Sequence, residues 1–197
     1  MKAYQLSQNF ETKFKFSIKD KIGEGADGDC YTLTDNPEQV VKFSVYYCWN
    51  NEDTNQVIAD RLAGYKQISD NPHLFAKLYD YGFVGKGTRS TVIGPQEYII
   101  FYCLMEKLES LSEDEKKVFH SILSHEDNNL KKNYSLDKVK KMLQGLSMGL
   151  TFNDSRVINF VTKVKQMNVG YTDIHPRNIM KDNFGDYKFI DFDRITV

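Results

Sequence analysis

The chain has 197 residues with 26 basic and 27 acidic side chains, for a formal net charge of −1. That balance gives no electrostatic case for nucleic acid or an anionic membrane surface as partner. Hydrophobic residues at 41% and charged residues at 27% exclude global disorder and suit one domain or two small lobes with a real core.

The N-terminus, MKAYQLSQNFETKFKF, alternates polar and apolar residues and has no signal-peptide core. Lys13 to Ile22 alternates loosely through Phe14, Phe16, Ile18 and Ile22, the period of a half-buried strand. Gly23-Glu24-Gly25-Ala26-Asp27-Gly28 follows, and Cys30, Tyr31 and Leu33 predict a returning strand. Asp35-Asn36-Pro37-Glu38 is a turn by composition, and Gln39 to Tyr47, rich in β-branched and aromatic residues, is a third strand. Three short strands joined by tight turns make an antiparallel meander.

From Asn51 to Ser69 the period becomes helical, through Val57, Ile58, Leu62, Tyr65 and Ile68, with Asn50 or Asn51 as cap and Ser69-Asp70-Asn71-Pro72 as stop. Leu78 to Val84 and Tyr98 to Met105 read as two further strands. Gly85 to Ser90 reads as a flexible connection and Gly94-Pro95 as a second turn. The Tyr98 to Met105 run, the longest apolar one, is far too short to span a bilayer. After a polar break at Glu106 to Ser112, helical spacing recurs over Glu113 to Ser124, Ser135 to Leu146 and Ser155 to Met167. Glu126 to Asn133 reads as an exposed loop. Cys30, Cys48 and Cys103 are odd in number and lack metal-ligand spacing, as befits reduced thiols in a cytoplasmic protein.

Chemistry concentrates in Tyr171 to Asp193, YTDIHPRNIMKDNFGDYKFIDFD. Asp173 and Asn178 stand five residues apart, and Asp191 ends a short apolar run. Phosphoryl transfer needs an acidic side chain to orient a hydroxyl and oxygen ligands for the metal that neutralises phosphate charge. Upstream, Gly23-x-Gly25-x-x-Gly28 fits an ordinary hairpin turn as well as a loop that covers phosphates. Because it lies between two strands, it is not the strand-to-helix form of dinucleotide folds. Lys42 sits in the apolar strand Val40-Val41-Lys42-Phe43, where a lysine must find an anion or reach solvent. Asp27 and Asp29 would oppose phosphate unless they point outward.

Glycine loop, strand lysine, helix, two strands, polar break, helices, Asp173-x-x-x-x-Asn178 and Asp191-Phe192-Asp193 together resemble the protein-kinase-like superfamily, from about Ile22 to Asp193. The catalytic-loop form, Asp173-Ile174-His175-Pro176-Arg177-Asn178, is similar to aminoglycoside and small-molecule phosphotransferases. The short layout is similar to minimal kinases of phages and bacterial effectors, which would place the protein in a host-cell cytoplasm. The resemblance implies an α+β, bilobal protein-kinase-like fold. Its N-lobe, 1–106, would be an antiparallel five-stranded sheet with one helix. Its C-lobe, 107–197, would be a reduced helical lobe lacking the activation segment and later helices, the two forming one domain.

The resemblance also assigns roles, with ATP and Mg²⁺ as cofactors. Lys42 would pair with the α- and β-phosphates, Asp173 would orient the attacking hydroxyl, and Asn178 and Asp191 would hold Mg²⁺. His175 would stand near the γ-phosphate or serve as a structural loop histidine. Gly23, Gly25 and Gly28 would approach the phosphates. Ile22, Cys30, Val40 and Met180 would enclose the adenine or simply pack in the core, and Met105, Glu106 and Leu108 would lie at the hinge. Asp60, or alternatively Glu52, would pair with Lys42, although the family uses Glu; Asp60 could equally be a solvated helix residue.

Tyr171-Thr172 replaces the His-Arg of regulated kinases, and Asp193 replaces the last glycine of D-F-G. The leading expectation is an ATP- and Mg²⁺-dependent phosphotransferase, a minimal protein serine/threonine kinase, with a protein substrate or activator as partner. A kinase-like binding module and a small-molecule phosphotransferase are the alternatives.

Overall fold

In a computed structural model of the protein, residues 3–8, 14–25, 28–49, 52–123, 136–146, 154–193 and 195–196 are described. The chain divides into two units, Met1–Asp70 with Lys77–Lys107, and Asn71–Ala76 with Leu108–Val197.

In the first unit, β1 (Ile18–Glu24), β2 (Gly28–Leu33), β3 (Gln39–Tyr47), β4 (Leu78–Thr91) and β5 (Gly94–Glu106) form one antiparallel sheet in the order β1-β2-β3-β5-β4. This is the expected five-stranded sheet. The period of two in β2 and β3 sorts side chains to two faces. Tyr31, Leu33, Val41, Phe43 and Val45 build a core on one face. A short helix beyond the expected one, α1 (Ala3–Ser7), covers this face with Ala3, Leu6 and the ring of Tyr4, which lies 4.9 Å from Tyr31. Five residues are too few to display a helical period in sequence, so docking and not pattern defines α1.

The opposite face carries α2 (Thr54–Ser69). Tyr65 and Ile68 are buried, and the Tyr65 ring packs edge-on against Tyr81 at 5.6 Å and Phe101 at 6.2 Å. The cap is Asp53, whose carboxylate accepts from the Asn55 N–H at 2.9 Å, and not Asn50 or Asn51.

The strands β4 and β5 run further than expected. The presumed connection Gly85 to Ser90 is strand, paired residue by residue with Ile100 back to Pro95. Gly87, which read as part of a flexible connection, faces the Tyr98 ring, as Gly82 within the predicted strand faces the Tyr102 ring. The turn falls at Val92-Ile93 and closes on Gly94 at φ +122°, a conformation that favours glycine.

The second unit contains α3 (Glu113–Leu123), α4 (Leu136–Leu146) and α5 (Asp154–Gln166), close to the three predicted helices. The expected loop Glu126 to Asn133 lies outside the described residues. Ser112 and Glu115 form a reciprocal cap on α3: the Ser112 N–H donates to Glu115 Oε2 at 2.7 Å, and the Glu115 N–H donates to Ser112 Oγ at 3.2 Å.

Two small sheets follow, β6 (Gly170–Tyr171) with β9 (Ile195–Thr196), and β7 (Ile179–Lys181) with β8 (Tyr187–Phe189). Phe75, Phe119, Phe160, Tyr171, Tyr187 and Phe189 form the aromatic core, with Phe119 to Tyr187 at 4.8 Å and Tyr171 to Phe189 at 4.9 Å. The segment 71–76 joins this unit because Ala76 N–H donates to the Phe189 carbonyl at 2.8 Å and Phe189 N–H to that of Leu74 at 3.0 Å. Among the described residues no helix is long and apolar enough to cross a membrane.

Candidate active site

In the first unit, pairing across the sheet sets Gly23 opposite Cys30, Cys30 opposite Lys42 and Lys42 opposite Cys103. Cross-strand neighbours share a face, so the glycine hairpin and the strand lysine present side by side. Val40 and Met105, also paired, form the next row of the same face. Within the loop the Gly25 N–H donates to the Gly28 carbonyl at 2.8 Å. Burial pushes the Cys30 thiol up to about 11, against the opposing pull of Lys42. Ile22, on β1, is largely exposed.

Gly28 is where the hairpin approaches β3. A Cβ there would run into the Phe43 carbonyl and lie 3.3 Å from Lys42 Cε. Gly28→Ala is therefore expected to lower the unfolding free energy by about 1–3 kcal/mol in urea denaturation. Gly25→Ala, whose Cβ would meet only the Gly28 carbonyl at 3.8 Å, is expected to be near neutral. Equal effects would show that the Gly28 contact does not matter.

Asp29 does point away from Lys42. It lies on the sheet face that carries Tyr31 and Phe43, 2% exposed, where Lys21 Nζ approaches its carboxylate to 2.7 Å. Lys21 also reaches Glu24 on its own strand at 2.6 Å, and its bond to Asp29 ties both strands of the hairpin together. Asp27 lies outside the described residues.

Asp60 and Glu52, the acids expected to pair with Lys42, both have other partners. Asp60 is exposed and accepts from Gln56 Nε2 at 2.7 Å. Glu52 accepts from the Tyr46 hydroxyl at 2.9 Å and the Trp49 N–H at 2.8 Å. The helix phase explains why: Arg61, four residues before Tyr65, shares its inward face, while Asp60 is turned aside. Arg61 lies 5.8 Å from the Tyr46 ring centroid and 5.7 Å from that of Phe101. Counting back from Tyr65 and Ile68 in the sequence would have found it.

At the end of β5, Glu106 pairs twice with Lys77. Its N–H donates to the Lys77 carbonyl at 2.9 Å, and its Oε1 accepts the Lys77 N–H at 2.7 Å. Met105 and Leu108 are buried.

In the second unit, Asn178 Nδ2 donates to Asp173 Oδ2 at 2.9 Å and to the Asp173 carbonyl at 3.1 Å. With its amide protons committed to Asp173, Asn178 has its amide oxygen for any cation. The Ile190 N–H donates to the Asn178 carbonyl at 3.0 Å, which brings the backbone just before Asp191 against Asn178. The Asp193 N–H donates to Asp191 Oδ1 at 3.1 Å.

His175 Nδ1 accepts from the Arg177 N–H at 3.1 Å and caps the single turn Pro176–Asn178. That geometry suits the loop-histidine alternative. Met180, half-buried on β7, pairs with Lys188.

Among the described residues no group of three or more His, Cys, Asp or Glu side chains is arranged to hold a metal ion. An Asn oxygen and one Asp carboxylate suit Mg²⁺ when phosphate oxygens and water fill its other positions. No local pattern signals one further feature: the Tyr171 hydroxyl is buried and makes no well-aligned hydrogen bond among the described residues, although the Asn178 side chain lies within reach. Burial pushes its pKa well above the ordinary tyrosine value; Asp191, Asp173 and Asp193 add to the rise and Asn178 opposes it. An orphaned buried hydroxyl beside these oxygens fits a site that takes up a further polar group.

No family model and no curated protein matches the sequence. Solved structures do match. A ROP18 kinase domain in complex with AMP-PNP and sucrose aligns with a TM-score of 0.51 at 15% identity, over 98% of this chain and 59% of that one. The chain thus spans less than two thirds of the length of that domain. At such identity the likeness speaks for architecture alone, and by its architecture this chain has a protein-kinase-like fold.

Proposed function

We propose that the protein is an ATP- and Mg²⁺-dependent phosphotransferase, acting on protein serine or threonine hydroxyls. The observation that carries this reading is the Asp173–Asn178 pair, with Asn178 bonded through its backbone to the residue before Asp191. Such a cluster supplies a carboxylate to orient an acceptor hydroxyl beside oxygen ligands for a cation. Bound Mg²⁺ would neutralise phosphate charge. Asn178, through its amide oxygen, and Asp191 are the residues to hold it. Lys42, beside the glycine hairpin, supplies the fixed positive charge for the α- and β-phosphates, and Gly23, Gly25 and Gly28 leave room for backbone to approach them. The apolar side chains of Val40 and Met105 suit an adenine ring.

A second reading, a nucleotide-binding module that acts by occupying a protein partner, is favoured by one observation. The sole acid on α2, Asp60, bonds to Gln56, and Arg61 takes the inward face. Protein kinases use an acid of this helix to set the strand lysine, and Asp60 is not so placed.

A γ-phosphate transfer assay with Mg²⁺ and ATP separates the two. Autophosphorylation or transfer to a generic protein substrate is expected for the wild type and is expected to vanish in Asp191→Ala. Nucleotide binding with no turnover in the wild type would leave the binding module standing.

A further inference from the structure

Tyr171 has one buried polar atom to which the fold gives no well-aligned hydrogen bond, with the Asn178 side chain within reach of it. The residue is 2% exposed, with its ring edge-on to Phe75 at 5.4 Å and 4.9 Å from Phe189. A phenylalanine would make both contacts. Leaving a hydroxyl buried without a partner typically costs about 1–3 kcal/mol. Such a group in a folded protein calls for a reason, most often a water or ion that belongs there.

The surroundings narrow the reason. The groups that act on the hydroxyl are Asp191, Asp173, Asp193 and the Asn178 amide. Asn178 directs its amide protons to Asp173. A phenol can donate or accept, and with carboxylates nearby its natural part is to donate.

We propose that the Tyr171 hydroxyl is a positioning group for a divalent cation held by Asn178 and Asp191, donating its proton to an oxygen in that cation's shell. The proposal rests on the phosphotransferase reading and adds a residue to it. Groups that hold a metal's ligands or waters in place set its affinity, and their loss commonly weakens binding 10–100-fold. The aromatic ring anchors the residue in the core, and the hydroxyl serves the cation.

The test uses the full chain with AMP-PNP and Mn²⁺ as probe, following free Mn²⁺ by electron paramagnetic resonance. Wild type is expected to bind Mn²⁺ and Asp191→Ala to lose it. Tyr171→Phe is expected to weaken Mn²⁺ binding by about tenfold, with a metal-free melting temperature equal to or above that of wild type. Unchanged Mn²⁺ affinity in Tyr171→Phe, beside a wild type that binds, overturns the role of the hydroxyl and leaves the phosphotransferase reading intact. A lower metal-free melting temperature also overturns it and marks the hydroxyl as a structural bond. A wild type that takes up no Mn²⁺ removes the cation site and this inference with it.

Discussion

Asp173→Asn is expected to slow γ-phosphate transfer by about 10²–10⁴-fold, the range a positioned general base contributes, which is about 3–5 kcal/mol of barrier. The substitution suits the question because an amide oxygen at this position can still accept from Asn178 Nδ2, now 2.9 Å from Asp173 Oδ2. Local structure should survive while proton acceptance is lost. Single-turnover kinetics with saturating ATP and Mg²⁺ would measure the rate, and a melting curve would confirm the fold. A loss smaller than tenfold would remove Asp173 from the chemistry and shift attention to the nucleotide-binding module.

Glu115→Ala is expected to be the most destabilising single change in the second unit. Glu115 is 7% exposed and accepts from the Ser112 N–H, from the Tyr187 hydroxyl at 2.9 Å and from Lys181 Nζ at 2.9 Å. It thereby ties the start of α3 to both strands of the β7–β8 hairpin. Truncation leaves a buried phenol and an amine without their acceptor. Breaking a buried pair in this way costs about 3–5 kcal/mol, on the order of 10 °C in melting temperature for a chain of this size. Glu115→Gln, which keeps an acceptor for Tyr187, should lose much less. Equal melting temperatures for Glu115→Ala and wild type would refute the assignment.

The same residue predicts an acid limit. Burial pushes the Glu115 carboxyl up, but hydrogen bonds from Ser112, Lys181 and Tyr187 outweigh it and leave the net pKa lowered. A carboxylate with a depressed folded pKa adds stability above the unfolded value of about 4.3 and loses it as pH falls through the folded value. The stability gap between wild type and Glu115→Gln should therefore shrink below about pH 4.

Much of this architecture could be read from residues alone, because strong periods need no tertiary context. The β-branched run Gln39–Tyr47 and the three helices of the second unit fall within a residue or two of expectation. The Asp173–Asn178 spacing was likewise visible, and one turn of chain between them lets the side chains meet. Other features depend on distant partners. Glycines at 85 and 87 read as slack, yet β5 holds them in register. The bond between Glu115 and Tyr187 links residues 72 positions apart, beyond any local pattern. The inward place of Arg61 is legible from helix phase, four residues before Tyr65.

The short stretch 71–76 interrupts the first unit's sequence yet finds its backbone partners on β8, near the far end of the chain. During synthesis the ribosome releases Leu74 and Phe75 well before Phe189, at about 5–20 residues per second. For several seconds those two side chains, the Leu74 carbonyl and the Ala76 N–H must wait for their partners, until β8 emerges. The second unit can therefore close only once Phe189 has left the exit tunnel.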